Sequence, residues 1–132
     1  MFLNITGASA AAPGSGTVIT SGTGSIDFGA FPGKSDATLV ITGQSGILAG
    51  SIVKAWLYPA TTADHSVDEH TVETIQVSAG TIVAGTGFTI YARNTGVINE
   101  KPLGWEASGY KAGNAGQGTR LYGLWSVAWM WF

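Results

Sequence analysis

The sequence predicts an all-β protein, an antiparallel β-sandwich or jelly roll of about eight short strands. Twenty of its 132 residues are glycine, and a glycine inside a helix costs about 1 kcal/mol relative to alanine. The β-branched and aromatic residues occur in short runs bounded by Gly, Asn, Asp, Ser or Pro. Within most runs apolar and polar residues alternate, as in antiparallel strands with one face on a core.

The elements follow in chain order. Residues 1–24 contain a long stretch of Gly, Ala, Ser and Thr and predict a flexible N-terminal arm or an extended edge segment. Residues 25–132 are expected to form a single sandwich domain. Pro59 ends the third predicted strand, and residues 78–80 predict a turn between the fourth and the fifth. The first six strand candidates span residues 25–31, 36–43, 51–58, 72–77, 81–84 and 87–94.

The last candidate, LYGLWSVAWMWF over 121–132, is apolar on both faces and holds three of the five tryptophans. One interpretation is a central strand buried on both sides. A second is that one face contacts another subunit, because Trp and Tyr are enriched at interfaces. A third is an aromatic platform for a sugar. The interface candidates from this strand are Tyr122, Trp125, Trp129, Trp131 and Phe132. The preceding segment, 108–120, predicts a long glycine-rich loop without a phosphate-binding motif.

Composition restricts the classes of partner. The net charge is −2, and charged residues make up 11% of the chain, against about 25% in ordinary domains. Such a surface suits a protein that packs against other proteins. Six basic residues spread along the chain form no basic stripe, so we expect no nucleic acid partner. No apolar stretch reaches about 18 residues, so we expect no membrane span.

The segment ADHSVDEH over 63–70 contains both histidines and three acids. His65, Asp68 and His70 are the alternative metal ligands, but a spacing of five places the histidines on opposite faces of a strand or about 140° apart on a helix. A Ser–His–Asp set built from neighbours in one loop does not reach catalytic geometry. The sequence therefore predicts no catalytic residue, cofactor or metal. Asp64 and Asp68 are expected to cap turns, and Asp64, His65 and His70 are further interface candidates.

Residues 36–94 and 119–131 resemble small structural proteins encoded by tailed DNA bacteriophages, most specifically in AWLYPATTADHSVDEH and AGTGFTIYA. The resemblance implies a capsid decoration, or cement, protein made in the bacterial cytoplasm. It would bind the major capsid protein on the outside of the head as a homo-oligomer, a dimer or a trimer. ADHSVDEH would then be a turn between strands, and no catalytic residue is implied. The alternative is a tail-fibre, spike or head-fibre module that binds a host-surface receptor.

Overall fold

The computed structural model describes residues 18–96 and 119–132. This part of the chain contains six strands and one short helix. Their bounds are β1 Thr20–Asp27, β2 Asp36–Ile41, β3 Val53–Leu57, α1 Val67–Val72, β4 Ile75–Val83, β5 Gly87–Asn94 and β6 Leu124–Trp131. Over these residues no helix has the length and the apolar character needed to cross a membrane.

The strands form two antiparallel sheets of three strands each. Sheet I has the order β1-β6-β3, and sheet II has the order β2-β5-β4. The inner faces pack together, with Phe88 of β5 edge-on to Trp129 of β6 at a centroid distance of 5.5 Å. The all-β, sandwich-like prediction is confirmed. The prediction of about eight strands is not, because the described residues contain six, and the jelly roll is not confirmed.

The central strand of sheet I is β6, which pairs with β1 on one side and β3 on the other. Residues 125–129 are all buried, so both faces of the strand are covered. Trp125, Val127 and Trp129 enter the core, where they meet Phe88 and other apolar side chains. The interpretation of this segment as a central strand buried on both sides is thereby confirmed.

The first strand begins earlier than predicted, because residues 20–24 belong to β1 at the edge of sheet I. Gly22 faces the core, where an added Cβ would lie 2.4 Å from the Trp129 ring. The absence of a side chain at Gly22 therefore lets β1 approach the large indole of Trp129. By composition alone, this glycine-rich segment looks only low in complexity. Residues 20–24 thus follow the edge-segment alternative. Residues 1–17 of the predicted arm and residues 108–118 of the predicted loop lie outside the described residues.

The predicted turn at 78–80 is wrong, because β4 runs through it without a break. Ser78, Ala79 and Gly80 pair in register with β5. The register shifts only between Gly80 and Val83, where Thr81 has φ 54°. A bulge of this kind bends a strand without ending it, so the segments predicted as two strands form one.

Candidate functional site

Residues 59–73 connect the end of β3 to β4, and this segment holds the histidines and acids singled out in the sequence. It contains α1, a single-turn helix that the sequence analysis did not predict. Ser66 is the N-cap: its hydroxyl accepts from the Glu69 N–H, and the Glu69 carboxylate accepts from the Ser66 N–H at 2.5 Å. The sequence signal was available, since Ser-x-x-Glu is the signature of a capping box.

Where β3 ends, the His70 side chain takes over a hydrogen bond to β6 that a longer β3 would make. Its Nδ1–H donates to the Ser66 carbonyl at 2.7 Å, and its Nε2 accepts from the Ser126 N–H of β6 at 2.9 Å. The neighbouring Ser126 carbonyl accepts from Tyr58 N–H at 2.9 Å, as in an ordinary ladder. The imidazole Nε2 therefore accepts the hydrogen bond that a backbone carbonyl of a continued β3 strand would accept. Its ring is buried, and both of its nitrogens bond to main chain.

His65 packs against Trp125 and Tyr122, at the start of β6. Its ring stacks on Trp125 with centroids 3.8 Å apart and an interplanar angle of 21°. Its Nε2–H donates to the Tyr122 carbonyl at 2.6 Å. Its Nδ1 is buried without a hydrogen bond, 3.5 Å from Glu69 Oε1. That last separation is long for a side-chain hydrogen bond.

Two of the acidic side chains, those of Asp64 and Glu69, accept hydrogen bonds from backbone N–H groups. Asp64 Oδ2 accepts from the Leu124 N–H at 2.7 Å, which ties the loop to the first residue of β6. The Ser66 N–H lowers the pKa of the Glu69 carboxyl below its usual 4.5; desolvation opposes this shift, and the nearby His65 ring adds to it. Asp68 is exposed in the first turn of α1, and its carbonyl accepts from the Thr71 hydroxyl.

This arrangement determines what the segment is able to do. His70 offers no lone pair to a metal, because Nε2 accepts from Ser126 N–H and Nδ1 carries the proton given to Ser66. Across residues 18–96 and 119–132, no group of three His, Cys, Asp or Glu side chains converges as a metal site would require. His65 faces a carbonyl with one nitrogen and a carboxylate with the other. A general base needs a nitrogen within reach of a nucleophile or substrate, and the His65 ring is buried with its two nitrogens facing these groups.

A different surface remains open to a partner. We define the aromatic edge patch as Ile52, Trp56, Tyr58 and Phe132, which are 49%, 43%, 44% and 37% exposed. Positions 52, 56 and 58 share the outer face of β3 and its flanks, because strand side chains repeat every two residues. Phe132 lies opposite Ile52, with hydrogen bonds in both directions at 2.9 and 3.0 Å. The patch thus spans two neighbouring strands of sheet I.

The sequence-based interface candidates divide between the core and the surface. His65, His70, Trp125 and Trp129 are buried within the chain and contribute no free surface. Trp131 is half-buried, and its Nε1–H donates to Gln44 at 2.9 Å. Three candidates are exposed: Asp64, Tyr122 and Phe132.

Sequence analysis did not name Ile52, Trp56 or Tyr58 as interface residues. The signal was their shared parity in the run SIVKAWLY, where the even positions carry Ile52, Lys54, Trp56 and Tyr58. Both parities of that run contain apolar residues, so the pattern alone does not say which face is inside. The pairing of β3 with β6 decides it, since Val53, Ala55 and Leu57 pack against the core.

Comparison with protein-family models, with curated proteins and with solved structures finds no match to this chain.

Proposed function

We propose that this protein is a virion structural protein of a tailed bacteriophage, a capsid decoration protein that binds the outside of the head through the aromatic edge patch. The observation that carries the proposal is the exposure of Trp56 and Tyr58 side by side on an edge strand. The histidine–acid segment supports it indirectly, because His70, Asp64 and Glu69 bond to the main chain of the fold. The proposal assigns the chain no catalytic step.

The chemistry of the patch indicates the surface that it would contact. Lys54 lies between Ile52 and Trp56 on the same face of an edge strand. A charge in this position discourages uncontrolled pairing of sheet edges. The expected partner surface is therefore an apolar site on the major capsid protein with an acidic group placed to meet Lys54.

The energy available from the patch is moderate. Aromatic side chains bury 150–250 Å² each, so the exposed fractions of the four residues leave roughly 350 Å² to be covered. At about 25 cal/mol per Å² this gives a gross gain near 9 kcal/mol, which is comparable to the cost of association. Binding through this patch alone would be weak at one site. Repetition over a head makes it effective, because a ligand specific for the assembled state stabilises that state.

Cosedimentation with phage heads tests the proposal. Purified protein is mixed with expanded heads from a deletion mutant of the encoding phage, and separately with host cells, and the pellets are quantified. We expect saturable binding to heads and none to cells. The double variant Trp56→Ser, Tyr58→Ser should lose head binding, whereas Val40→Ser, an exposed residue on the outer face of sheet II, should retain it.

Three other outcomes contradict the proposal in distinguishable ways. Binding to cells and not to heads would favour the receptor-binding module. Equal binding of the double variant and the wild type to heads would remove the patch from the contact. Conversion of an oligomer to a monomer by the double variant, with head binding preserved, would make the patch an interface between copies of this chain; sedimentation velocity detects this.

A further inference from the structure

The outer face of sheet II, the sheet that does not carry the aromatic edge patch, forms an open groove of about 420 Å³. Strand register places its side chains in two rows across β4, β5 and β2. The first row is Gln76, Arg93 and Asp36, and the second is Ser78, Tyr91 and Thr38. All six residues are exposed. The volume lies within the range of about 300–1,000 Å³ typical of small-molecule sites.

The aromatic ring in this groove has a fixed position. The Tyr91 hydroxyl hydrogen-bonds to the Thr81 hydroxyl, and Thr81 sits at the bulge of β4 with φ 54°. Gly80, directly opposite Thr89 and next to this bulge, adds no side chain over the sheet. Tyr91 is still 39% exposed. Because the ring is already held by this hydrogen bond, it loses little further conformational freedom when a ligand binds. Its exposed face therefore favours stacking by a ligand.

The charged groups of the groove remain separate. Asp36 and Arg93 are direct cross-strand partners on one face, a position in which opposite charges usually attract. Among the described residues, however, the only nitrogen–oxygen contact within 4 Å between ionisable side chains is the one from His65 to Glu69. The Asp36 carboxylate, the Arg93 guanidinium and the Gln76 amide thus border the same groove, and Asp36 and Arg93 do not form an ion pair.

We propose that this groove binds a neutral pyranose sugar. A sugar ring has an apolar C–H face that stacks on an aromatic ring, here Tyr91, and hydroxyls that both donate and accept. Asp36 would accept from hydroxyls, Arg93 would donate to them, and Gln76 would do both. One positive and one negative side chain leave the groove without net charge, which disfavours phosphates and acidic ligands. The proposal is independent of head binding, because the two surfaces lie on different sheets.

Chemical-shift mapping with defined glycosides tests the assignment. The full-length ¹⁵N-labelled protein is titrated with the methyl glycosides of glucose, galactose, mannose and N-acetylglucosamine, each to tens of millimolar, since Kd values near 1 mM are expected for so open a site. We expect saturable shifts of the residue 76–78 and 91–93 amides with at least one glycoside. Tyr91→Ala should weaken binding by about two- to tenfold, the loss of one stacking contact.

The matched control is Tyr58→Ala, which removes a tyrosine of similar exposure from sheet I and should leave the Kd unchanged. Asp36→Asn keeps the shape but removes the charge and should weaken binding several-fold without loss of thermal stability. The proposal is overturned if none of the four glycosides shifts these amides, or if Tyr91→Ala binds as tightly as wild type. It is also overturned if only glucuronate or inorganic phosphate, titrated in parallel, binds at Arg93.

Discussion

Replacing His70 by alanine should cost a substantial part of the stability of the fold. The change removes two hydrogen bonds and leaves the buried Ser126 N–H without an acceptor. An unsatisfied buried group costs about 1–3 kcal/mol, and the edge contact of His70 with Trp125, centroids 4.9 Å apart, adds about 0.5–1.5 kcal/mol. The expected loss in the free energy of unfolding is about 3 kcal/mol.

This loss is large enough to measure by thermal or urea denaturation. A chain of this length has an unfolding entropy near 0.3 kcal/mol/K at its midpoint, so 3 kcal/mol corresponds to a decrease in Tm of about 10 °C. His70→Gln should fall between His70→Ala and wild type, because its Oε1 is able to accept from Ser126 N–H. Val72→Ala is the matched control on the same helix, since Val72 is 78% exposed, and it should change stability by less than about 0.5 kcal/mol.

The reasoning would be refuted if His70→Ala unfolded within 2 °C of wild type, or if His70→Gln were no more stable than His70→Ala. The first result would mean that the imidazole contributes nothing to the closure of sheet I. A histidine that does not support the fold, in a segment with three acids, would then have to be reconsidered as a ligand or a base.

Three further predictions concern other parts of the fold. Glu69→Gln should lower the Tm at neutral pH; because the pKa of Glu69 is depressed in the folded state, the difference from wild type should be full above pH 4.5 and vanish as pH falls through the lowered pKa, as Tm measured against pH will show. Asn94→Ala should cost about 2–4 kcal/mol in urea denaturation, because this 1% exposed side chain bonds to Thr74, Gly96 and Thr119. Gly87→Ala should prevent folding as judged by circular dichroism, since its Cβ would lie 1.8 Å from a backbone oxygen, whereas Gly50→Ala, with nothing within 4 Å, should fold normally.

Each of these has a result that would contradict it. A pH-independent difference for Glu69→Gln would remove the carboxylate from the helix cap. A loss below 0.5 kcal/mol for Asn94→Ala would mean that solvent replaces its hydrogen bonds. Native ellipticity for Gly87→Ala would show that the start of β5 is able to move away from β2.

The sequence pattern was sufficient to predict β5 and the position of β6 in its sheet. The strand predicted over 87–94 is β5, in which Phe88, Ile90 and Ala92 face the core, whereas Tyr91 and Arg93 are exposed. In β6 the apolar character of both faces indicated a central position, which the pairing confirms. These outcomes follow from local periodicity and burial, which a single segment records.

What the sequence did not reveal depends on contacts between distant segments. His70 and Ser126 are 56 positions apart, and Asp64 and Leu124 are 60 apart. No spacing within ADHSVDEH indicates that its polar groups bond to the last strand. The break predicted at 78–80 followed local propensity, but pairing with β5 and the inward position of Ala79 override it. The two rows of the sheet II groove likewise exist only through the register of three strands.

The proposal that the aromatic edge patch binds the head is tested most directly by hydrogen–deuterium exchange of the protein bound to heads, compared with the free protein. The account predicts that protection on binding concentrates at residues 52–58 and 130–132, the two paired segments of sheet I that carry the patch. Residues 36–40 and 89–93 of sheet II should exchange as in the free protein. Protection confined to sheet II, with no change at 52–58, would contradict the account.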